Sequence, residues 1–441
     1  MKKKVFFGLI LLTLITFPFL IRYAESAAPA EIVVGNPASL TGMFAGLGQG
    51  QVFGMKAAVE DINKQGGVNI KEYGKKLPIK LVIVNSESDP LKAGTLAESL
   101  IVSDKVNFLC QGGETPIMPP QISTAADRFK VPYVTAAGPM EPWMAMRQTV
   151  EGRWKYTWAF GFPIATPAPP GSPWAKPGYT VMENWKSMLD LYGNKTNKKV
   201  AIFASHDPDG VGWYGLFSGA LKNWGYDVIG ADKKLGLVPM ETTDFTSIIK
   251  QWKDNKCEIL WGNAPGPFIG TILKQGSAMG FKPKMVSIGR GAMFYEDVTS
   301  WGGDLPLGIG MEIWGDPSLQ VSKGIGGATL QSLANKYTKE TGKPLNRTLG
   351  SGYRSIQVLI DAIERAGTLD SEKVNAALAK ADLITIMHRA KFDQNHFSYE
   401  PLAFGQWRKT NKPWVWECPV VFSHLDFIKV GGKPIFPIPY Q

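Results

Sequence analysis

The chain is poor in the residues that carry out most metal, redox and nucleophilic chemistry. Its 441 residues include three cysteines and four histidines. No histidines have the spacing of a metal-binding helix, and no C-x-x-C, G-x-S-x-G or G-x-x-x-x-G-K-[ST] motif is present. A glycine-rich stretch at residues 46–50 is close to a dinucleotide fingerprint, but Gln51 takes the place of the third glycine. We therefore expect a protein that is not an enzyme, with no catalytic residue, no cofactor and no metal site.

The small number of cysteines favours buried free thiols over a disulfide framework. An odd number cannot all pair within the chain, and Cys110 and Cys257 each stand at the end of an apolar run. Cysteines in such positions behave as small apolar side chains. Free thiols are therefore predicted for Cys110, Cys257 and Cys418.

Positive charge is in excess but is not concentrated. The chain has 48 Lys and Arg against 38 Asp and Glu, and residues 1–30 carry +3 of the formal net charge of +10, which leaves about +7. The remaining basic residues are scattered, which is typical of a solvated surface and not of a nucleic-acid interface. We expect no nucleic-acid partner.

The first 30 residues have the three parts of a secretory signal. Three lysines at positions 2–4 precede an apolar run over residues 5–21, and small residues follow it. We expect cleavage near residues 26–30. The alternative is an uncleaved membrane anchor, because the run approaches spanning length, but Pro18 and the small residues favour cleavage. No cysteine lies nearby to carry a lipid, so a freely diffusing periplasmic protein is predicted.

Strand and helix patterns alternate after the signal. Residues 31–63 predict a buried strand, a glycine-rich turn and a helix, and the same order recurs up to residue 138. This order predicts a parallel sheet with helices on both faces, which binds ligands at the carboxyl ends of its strands. Those ends are small and polar at residues 85–88, 112–115 and 135–138.

Two domains are predicted, because 441 residues exceed one ordinary core. Six prolines in residues 161–179 interrupt the alternation and mark a crossing or a rim loop, after which a second unit begins. The predicted fold class is α/β, with two doubly wound Rossmann-like lobes joined by a multi-strand hinge. We assign residues 31–160 and 312–388 to lobe one, and residues 161–311 and 389–441 to lobe two.

Two motifs resemble a known family. The pattern I-x-V-G-x-x-x-x-L-T-G begins at Ile32, and G-M-K-A-A-V-E-D-I-N-x-x-G-G-V spans residues 54–68. They are similar to the type I periplasmic substrate-binding proteins, within them to the branched-chain amino acid group that feeds ABC importers, and the resemblance runs from Glu31 to Phe404. It implies a monomer that captures a small solute by hinge closure and delivers it to membrane permease subunits. A periplasmic sensor subunit is the alternative role.

The resemblance implies a ligand site in lobe one on two strand-end loops. Thr115 would supply a hydroxyl to a ligand carboxylate, beside Gly113 and Glu114, and the second loop would supply the amides of Ala137 and Gly138, beside Ala136. The alternative is that these loops are only tight turns that need small residues. Thr41, in the opening turn, supplies a further hydroxyl.

Lobe two departs from the amino-acid pattern of the family. Arg290 stands where amino-acid binders carry an acid for the ligand ammonium, and an arginine fork fits a carboxylate. The alternative for Arg290 is a salt bridge. Asp209 could pair with Arg290 or take over the ammonium contact, and Asn263 lies at the matching edge. The expected walls of the ligand site are Phe44, Leu47, Trp314 and Tyr353.

The ligand expected from these residues is a small carboxylate without an α-ammonium. A branched-chain or other amino acid is the second expectation, because Asp209 remains available for an ammonium. A short amide or urea is the third.

Overall fold

The computed structural model describes residues 28–150 and 153–440. Residues 1–27, which hold most of the predicted signal, lie outside the described residues.

The described residues alternate between strands and helices, as predicted, with bounds that follow the chain order. The helices are α1 Ala45–Lys64, α2 Pro90–Val102, α3 Pro119–Phe129, α4 Met140–Thr149, α5 Val181–Tyr192, α6 Pro208–Asn223, α7 Thr246–Asp254, α8 Gly266–Ala278, α9 Tyr295–Trp301, α10 Leu330–Thr341, α11 Leu349–Ala366 and α12 Ser371–Leu378. The strands are β1 Ile32–Ala38, β2 Val68–Ile70, β3 Lys75–Leu77, β4 Ile79–Asn85, β5 Phe108–Cys110, β6 Tyr133–Ala136, β7 Thr157–Gly161, β8 Lys199–Ser205, β9 Asp227–Ile229, β10 Leu237–Val238, β11 Ile259–Ala264, β12 Met285–Arg290, β13 Gly310–Ile313, β14 Asp382–Ile384, β15 Arg389–Lys391, β16 Phe397–Tyr399, β17 Ala403–Gln406, β18 Arg408–Lys409, β19 Trp416–Glu417 and β20 Val420–Phe422.

The first large sheet is parallel throughout and has the order β16-β7-β6-β5-β1-β4. Its first strand pairs with β4 along its whole length, from Ile32 opposite Ile79 to Ala38 opposite Asn85. The apolar run of β1 is buried because helices cover both faces of such a sheet. The carboxyl ends of β1, β5 and β6 therefore meet at one edge, as the alternation predicted.

The second large sheet has the order β10-β8-β11-β12-β13-β17-β20, with β9 also paired to β8. Its strands are parallel up to β13, whereas β17 and β20 are antiparallel to their neighbours. The two sheets form the two α/β lobes that the sequence predicted.

The chain crosses between the sheets after β7, after β13 and after β16 within the described residues. Near two of these crossings, residues lie in a different lobe from the one to which the sequence analysis assigned them. Glu312 pairs with Phe404 in the second sheet, although residues from 312 onward were assigned to lobe one. Strand β16 pairs with β7 in the first sheet, although residues 389–441 were assigned to lobe two. The remaining boundaries stay a prediction.

Helices α1 and α11 cross at two glycines. A Cβ atom at Gly54 would lie 1.9 Å from the Leu349 carbonyl oxygen, and one at Gly352 would lie 2.0 Å from the Gln51 carbonyl oxygen. Only glycine permits backbones to approach this closely. The contact holds helix α1 against helix α11, and it thereby positions the turn that precedes α1.

A group of large aromatic side chains fills the core of the second lobe. Trp185 packs against Trp213, Phe217 and Trp261, with ring centroids 5.3 to 5.6 Å apart. Aromatic pairs at such distances contribute stability beyond the area that they bury. Many of the tryptophans in this chain therefore serve packing.

Three further features concern the thiols, helices and acidic or metal-binding side chains of the described residues. Cys110, Cys257 and Cys418 are free and buried, as predicted. None of the helices in the described part of the chain combines the length and apolar character that crossing a membrane requires. In that same part, no three His, Cys, Asp or Glu side chains are arranged to hold a metal ion.

Helix starts account for most differences from the predicted elements. The sequence pattern predicts a helix over residues 212–224, but helix α6 begins at Pro208, because the Asp207 carboxylate accepts from the N–H groups of Asp209 and Gly210. The pattern also predicts a helix over residues 322–341, but helix α10 begins at Leu330, because Thr329 and Ser332 form a capping box there. Helices α4 and α9 were not predicted.

Candidate functional site

A cleft opens between the carboxyl ends of the two sheets. This is the position at which parallel α/β sheets bind ligands. The structure brings together the following predicted site residues in its lining: Leu47, Gly113, Glu114, Thr115, Ala136, Gly138, Asp209, Asn263, Arg290 and Trp314.

The other predicted site residues lie outside this lining. Thr41 is exposed, and its hydroxyl accepts a hydrogen bond from Asn85 at 2.9 Å. Phe44 is buried at the start of α1. The N–H of Ala137 is used within the sheet, since it donates to the Phe160 carbonyl at 2.7 Å. Ala137 therefore does not offer the amide that the sequence assigned to it.

Tyr353 does not wall the cleft either. Its hydroxyl donates to Asp61 Oδ2 at 2.6 Å, so the side chain lies between α11 and α1. Helical spacing placed the residue correctly on a buried face, but the sequence does not indicate which of several buried faces meets the cleft.

The lobe-one wall is built on the loop after β5. Glu114 is buried there and accepts from the Ser39 N–H at 3.2 Å, from Gln51 Nε2 at 2.7 Å and from the Ser39 hydroxyl at 3.0 Å. Burial raises the pKa of Glu114 to about 8, against these hydrogen bonds, so the carboxyl is mostly neutral at pH 7. The hydroxyl of Thr115 is buried beside it without a partner among the described residues. This wall offers hydrogen bonds without a repelling charge.

The lobe-two wall is organised around Arg290, at the end of β12. Its φ of 54° is uncommon outside glycine, and a network of bonds holds this conformation. The guanidinium donates to Asp207 at 3.2 and 2.9 Å and to the Ser205 hydroxyl, and it lies 3.3 Å from Asp209 Oδ2. The structure therefore shows the salt bridge, which was the alternative for this residue.

Arg290 does not depend on a ligand for its counter-ion, because two carboxylates of the chain already face it. Burial alone would raise the pKa of Asp207, but the Arg290 guanidinium together with hydrogen bonds from Ser205 and Gly210 lowers it. No local pattern indicated that Asp207, which lies 83 residues from Arg290 in the chain, would contact it. Asp207 reaches the guanidinium because it caps the start of helix α6.

Acidic side chains outnumber basic ones in this wall. Burial raises the pKa of Asp209, although Arg290 opposes the rise, and Asp209 Oδ1 has no partner among the described residues. Burial raises the pKa of Glu312 to about 7, and its Oε2 accepts from Trp185 Nε1 at 3.0 Å. Glu400 also lines the cleft, but it is paired with Arg354.

Apolar and aromatic side chains form most of the remaining surface. Phe162 packs against Trp314 with ring centroids 4.9 Å apart, and Leu47 and Met293 complete the apolar surface. Trp213 also lines this space, and its buried indole N–H has no partner among the described residues.

Sequence reasoning missed Phe162, Trp213 and Glu312. Phe162 belongs to the proline-rich segment 161–179, which was interpreted as a crossing between domains or a rim loop and not as part of the site. Glu312 offered a usable signal, since it is the one acid in the apolar strand β13. An acid in a buried strand needs a partner or a function.

Two α/β lobes with a largely apolar cleft and a few polar groups define a binding protein for small molecules. The chain belongs to the periplasmic binding protein family, whose model matches residues 31–412.

Known proteins of this kind resemble the chain along most of its length. The Leu/Ile/Val-binding protein homolog 2 of Brucella abortus is 24% identical over 416 residues, which cover 93% of this chain and 97% of that protein. The branched-chain amino acid transporter substrate-binding protein LivJ of Streptococcus pneumoniae, solved in complex with isoleucine, superposes with a TM-score of 0.67 at 17% identity, covering 88% of this chain and all of that one. A solute-binding protein of an ABC transporter from Rhodopseudomonas palustris, solved with 3,4-dihydroxybenzoic acid, superposes with a TM-score of 0.67 at 19% identity. The match covers 91% of this chain and 99% of that one.

Proposed function

We propose that the chain is the solute-binding component of an ABC importer and that its ligand is a small α-amino acid with an apolar side chain. The observation that carries the proposal is the charge of the cleft. Arg290 has its carboxylate partners within the chain, whereas Asp209 keeps an unpartnered oxygen and Glu312 has no basic partner among the described residues. Such a wall favours a cation or a strong hydrogen-bond donor.

The carboxylate of the ligand would lie against lobe one. Thr115 has a hydroxyl ready to donate, and the neutral Glu114 beside it does not repel an anion. Gly138 keeps the backbone of the second loop accessible at the same edge. Neutral donors hold a carboxylate without a formal positive charge.

The apolar lining supports an uncharged ligand body. Phe162, Trp314, Leu47 and Met293 provide surface whose burial drives binding at roughly 25 cal/mol per Å². Closure of the lobes removes this surface and the ligand from water together. A ligand that binds the closed arrangement better than the open one shifts the population toward it.

A small aromatic carboxylate is the second candidate. It is favoured by two buried donors in the cleft lining, Arg290 Nε and Trp213 Nε1, that have no partner among the described residues. The Rhodopseudomonas palustris protein binds a ligand of this class. The support for a carboxylate without an ammonium thus comes from these two unpartnered donors and not from an Arg290 that lacks a counter-ion.

The export route and the partner belong to the same proposal. A signal cleaved near residues 26–30 would release the chain into the periplasm, and a membrane permease would distinguish its closed form from its open form. A sensor subunit would bind the same ligand and signal to a receptor. Transport of the ligand in cells that lack the chain distinguishes the two roles, because only an importer component is needed for uptake.

Matched ligands test the proposed class. Thermal-shift and calorimetric titrations would compare L-leucine and L-phenylalanine with 4-methylpentanoate and 3-phenylpropanoate, which lack only the α-amino group. We expect the amino acids to bind at least tenfold more tightly and small-angle scattering to show a more compact particle with them. Tighter binding of the acids without the amino group would transfer the proposal to the second candidate. Binding of neither class would overturn both.

A further inference from the structure

A small unfilled space lies beside Gly289 on the lobe-two wall of the cleft. A Cβ atom built on Gly289 would lie 3.3 Å from Asn263 Oδ1 and 3.5 Å from Glu312 Oε1. Both oxygens therefore face the space that the missing side chain leaves. Gly289, Asn263 and Glu312 all line the cleft, so the space is open to a ligand.

A further carboxylate, that of Asp209, adjoins Asn263. Asn263 uses its Nδ2 to donate to Asp209 Oδ2 at 3.2 Å, which orients its own Oδ1 the other way. Asp209 is 2% exposed, and its Oδ1 has no hydrogen-bond partner within the described residues. An unmet acceptor of this kind costs free energy unless a donor reaches it.

The three oxygens all accept hydrogen bonds. The ionised carboxylates of Asp209 and Glu312 and the amide oxygen of Asn263 have no proton to donate. Trp185 donates to the other oxygen of Glu312 at 3.0 Å, which holds the carboxylate in place and leaves Oε1 for the cleft. A primary ammonium has three N–H donors and no acceptor, so it matches this set of oxygens.

We propose that Asp209, Asn263 and Glu312 form an ammonium niche beside Gly289 and that Glu312 determines the specificity for ligands that carry an amino group. The niche rests on the proposed function, since it names the residues that meet the ammonium of the amino acid. The acid that amino-acid binders carry at the position of Arg290 would be replaced in this chain by Glu312 on the neighbouring strand β13. Arg290 then serves the niche indirectly by positioning Asp209.

Two substitutions test the niche in different ways. Glu312→Gln keeps the shape of the side chain and an acceptor for Trp185 but removes the charge. Gly289→Ala places a methyl group 3.3 Å from Asn263 Oδ1, 3.5 Å from Glu312 Oε1 and 3.6 Å from Trp185 Cζ2, so it fills the niche and requires a small shift of the Asn263 amide. Gly289 does not have a positive φ, so alanine introduces no backbone strain. Glu241→Gln, at an exposed position, is the matched control.

The ligands form two sets of three. L-leucine is compared with 4-methylpentanoate and 3-methylbutylamine, and L-phenylalanine with 3-phenylpropanoate and 2-phenylethylamine, so that each set separates the amino group from the carboxylate. Calorimetry on the full mature chain gives the affinities, and circular dichroism with a thermal melt shows that each variant is folded.

We expect Glu312→Gln and Gly289→Ala to weaken amino-acid binding at least tenfold and to leave the affinity for the amine-free acids within twofold, with Glu241→Gln unchanged. Equal losses for both kinds of ligand, or none for the amino acids, would overturn the niche while leaving the proposed function intact. If the native chain binds neither amino acid, the proposed ligand class fails, and the niche is then tested with the two amines alone. Binding of an amine to the native chain that is lost in Glu312→Gln would support the niche. If the native chain binds no amine, the niche is overturned together with the ligand class.

Discussion

Arg354 donates a hydrogen bond to Glu400 Oε1, and neither side chain of this ion pair is more than 2% exposed. Arg354 belongs to α11 in the first lobe, and Glu400 directly follows β16 where the chain crosses to the second sheet. The guanidinium also lies 3.9 Å from the Phe160 ring centroid and contacts His388 Nε2 at 2.8 Å. Burial, followed by the charge of Arg354, lowers the pKa of His388, so the neutral ring accepts this bond. The pair fixes one of the connections between the lobes.

Replacing one partner of this pair should destabilise the protein strongly. Arg354→Met leaves Glu400 buried without its counter-ion, and we expect the free energy of unfolding to fall by about 3 to 5 kcal/mol. Adding Glu400→Gln should restore much of the loss, because the uncompensated charge is gone. Urea denaturation measures both variants. The control is Arg389→Met, whose exposed pair with Asp382 should be worth less than about 1 kcal/mol. Similar losses for the buried and the exposed pair would contradict this account.

Glu114 should make stability depend on pH. Burial raises its pKa in the folded chain to about 8 from the ordinary 4.5, so between these values the folded state holds a proton that the unfolded state has released. Stability therefore falls as pH rises from about 5 to 8, by up to about 1.4 kcal/mol per pH unit from this group. Glu114→Gln should reduce the slope over that window in urea titrations at several pH values, and the rest of the slope would come from other buried acids such as Glu312. Glu241→Gln should keep the native slope. An unchanged slope in Glu114→Gln would rule out a shifted Glu114 as its source.

Asp207→Asn should free Arg290 for the ligand. Asparagine can still cap α6, so the helix start is preserved, but the guanidinium loses its closer carboxylate. We expect stability to fall by about 3 kcal/mol and the affinity for 3-phenylpropanoate to rise relative to that for L-phenylalanine. Calorimetry of the two ligands on the native chain and the variant gives the ratio. A ratio that stays constant would mean that Arg290 does not reach the ligand even when unpaired.

The crossing of α1 and α11 should depend on its glycines. A Cβ at Gly54 would lie 1.9 Å from a backbone oxygen that cannot move aside, so Gly54→Ala should cost about 3 kcal/mol. Gly219→Ala in helix α6 is the control, because nothing lies within 4 Å of its Cβ position. There alanine should raise stability by about 0.5 to 1 kcal/mol. Thermal and urea unfolding measure both, and equal effects at the two glycines would refute the close approach.

Local patterns in the sequence were enough to predict the two lobes and the edge at which the cleft lies. The alternation of strands and helices fixes where strands end, and loops such as residues 113–115 follow from it. Free thiols at Cys110, Cys257 and Cys418 followed from their apolar surroundings.

The pairing of charges in the cleft could not be predicted in the same way. Arg290 meets Asp207 and Asp209 only because β8, α6 and β12 converge in space, and no local pattern encodes that distance. Tyr353 and Glu312 show the same difficulty: Tyr353 was predicted to line the cleft but does not, whereas Glu312 lines it and was not predicted. One lies on a buried helix face turned away from the cleft, and the other lies in a core-like strand whose end reaches it.

Trp213 belongs at once to the cleft lining and to the aromatic cluster around Trp185, with 5.6 Å between the two ring centroids. A solute that settles against its indole alters the surroundings of one chromophore directly and those of its neighbours through that contact. We therefore expect the tryptophan emission of the unlabelled chain to change when the cleft is occupied, which would make an attached dye unnecessary.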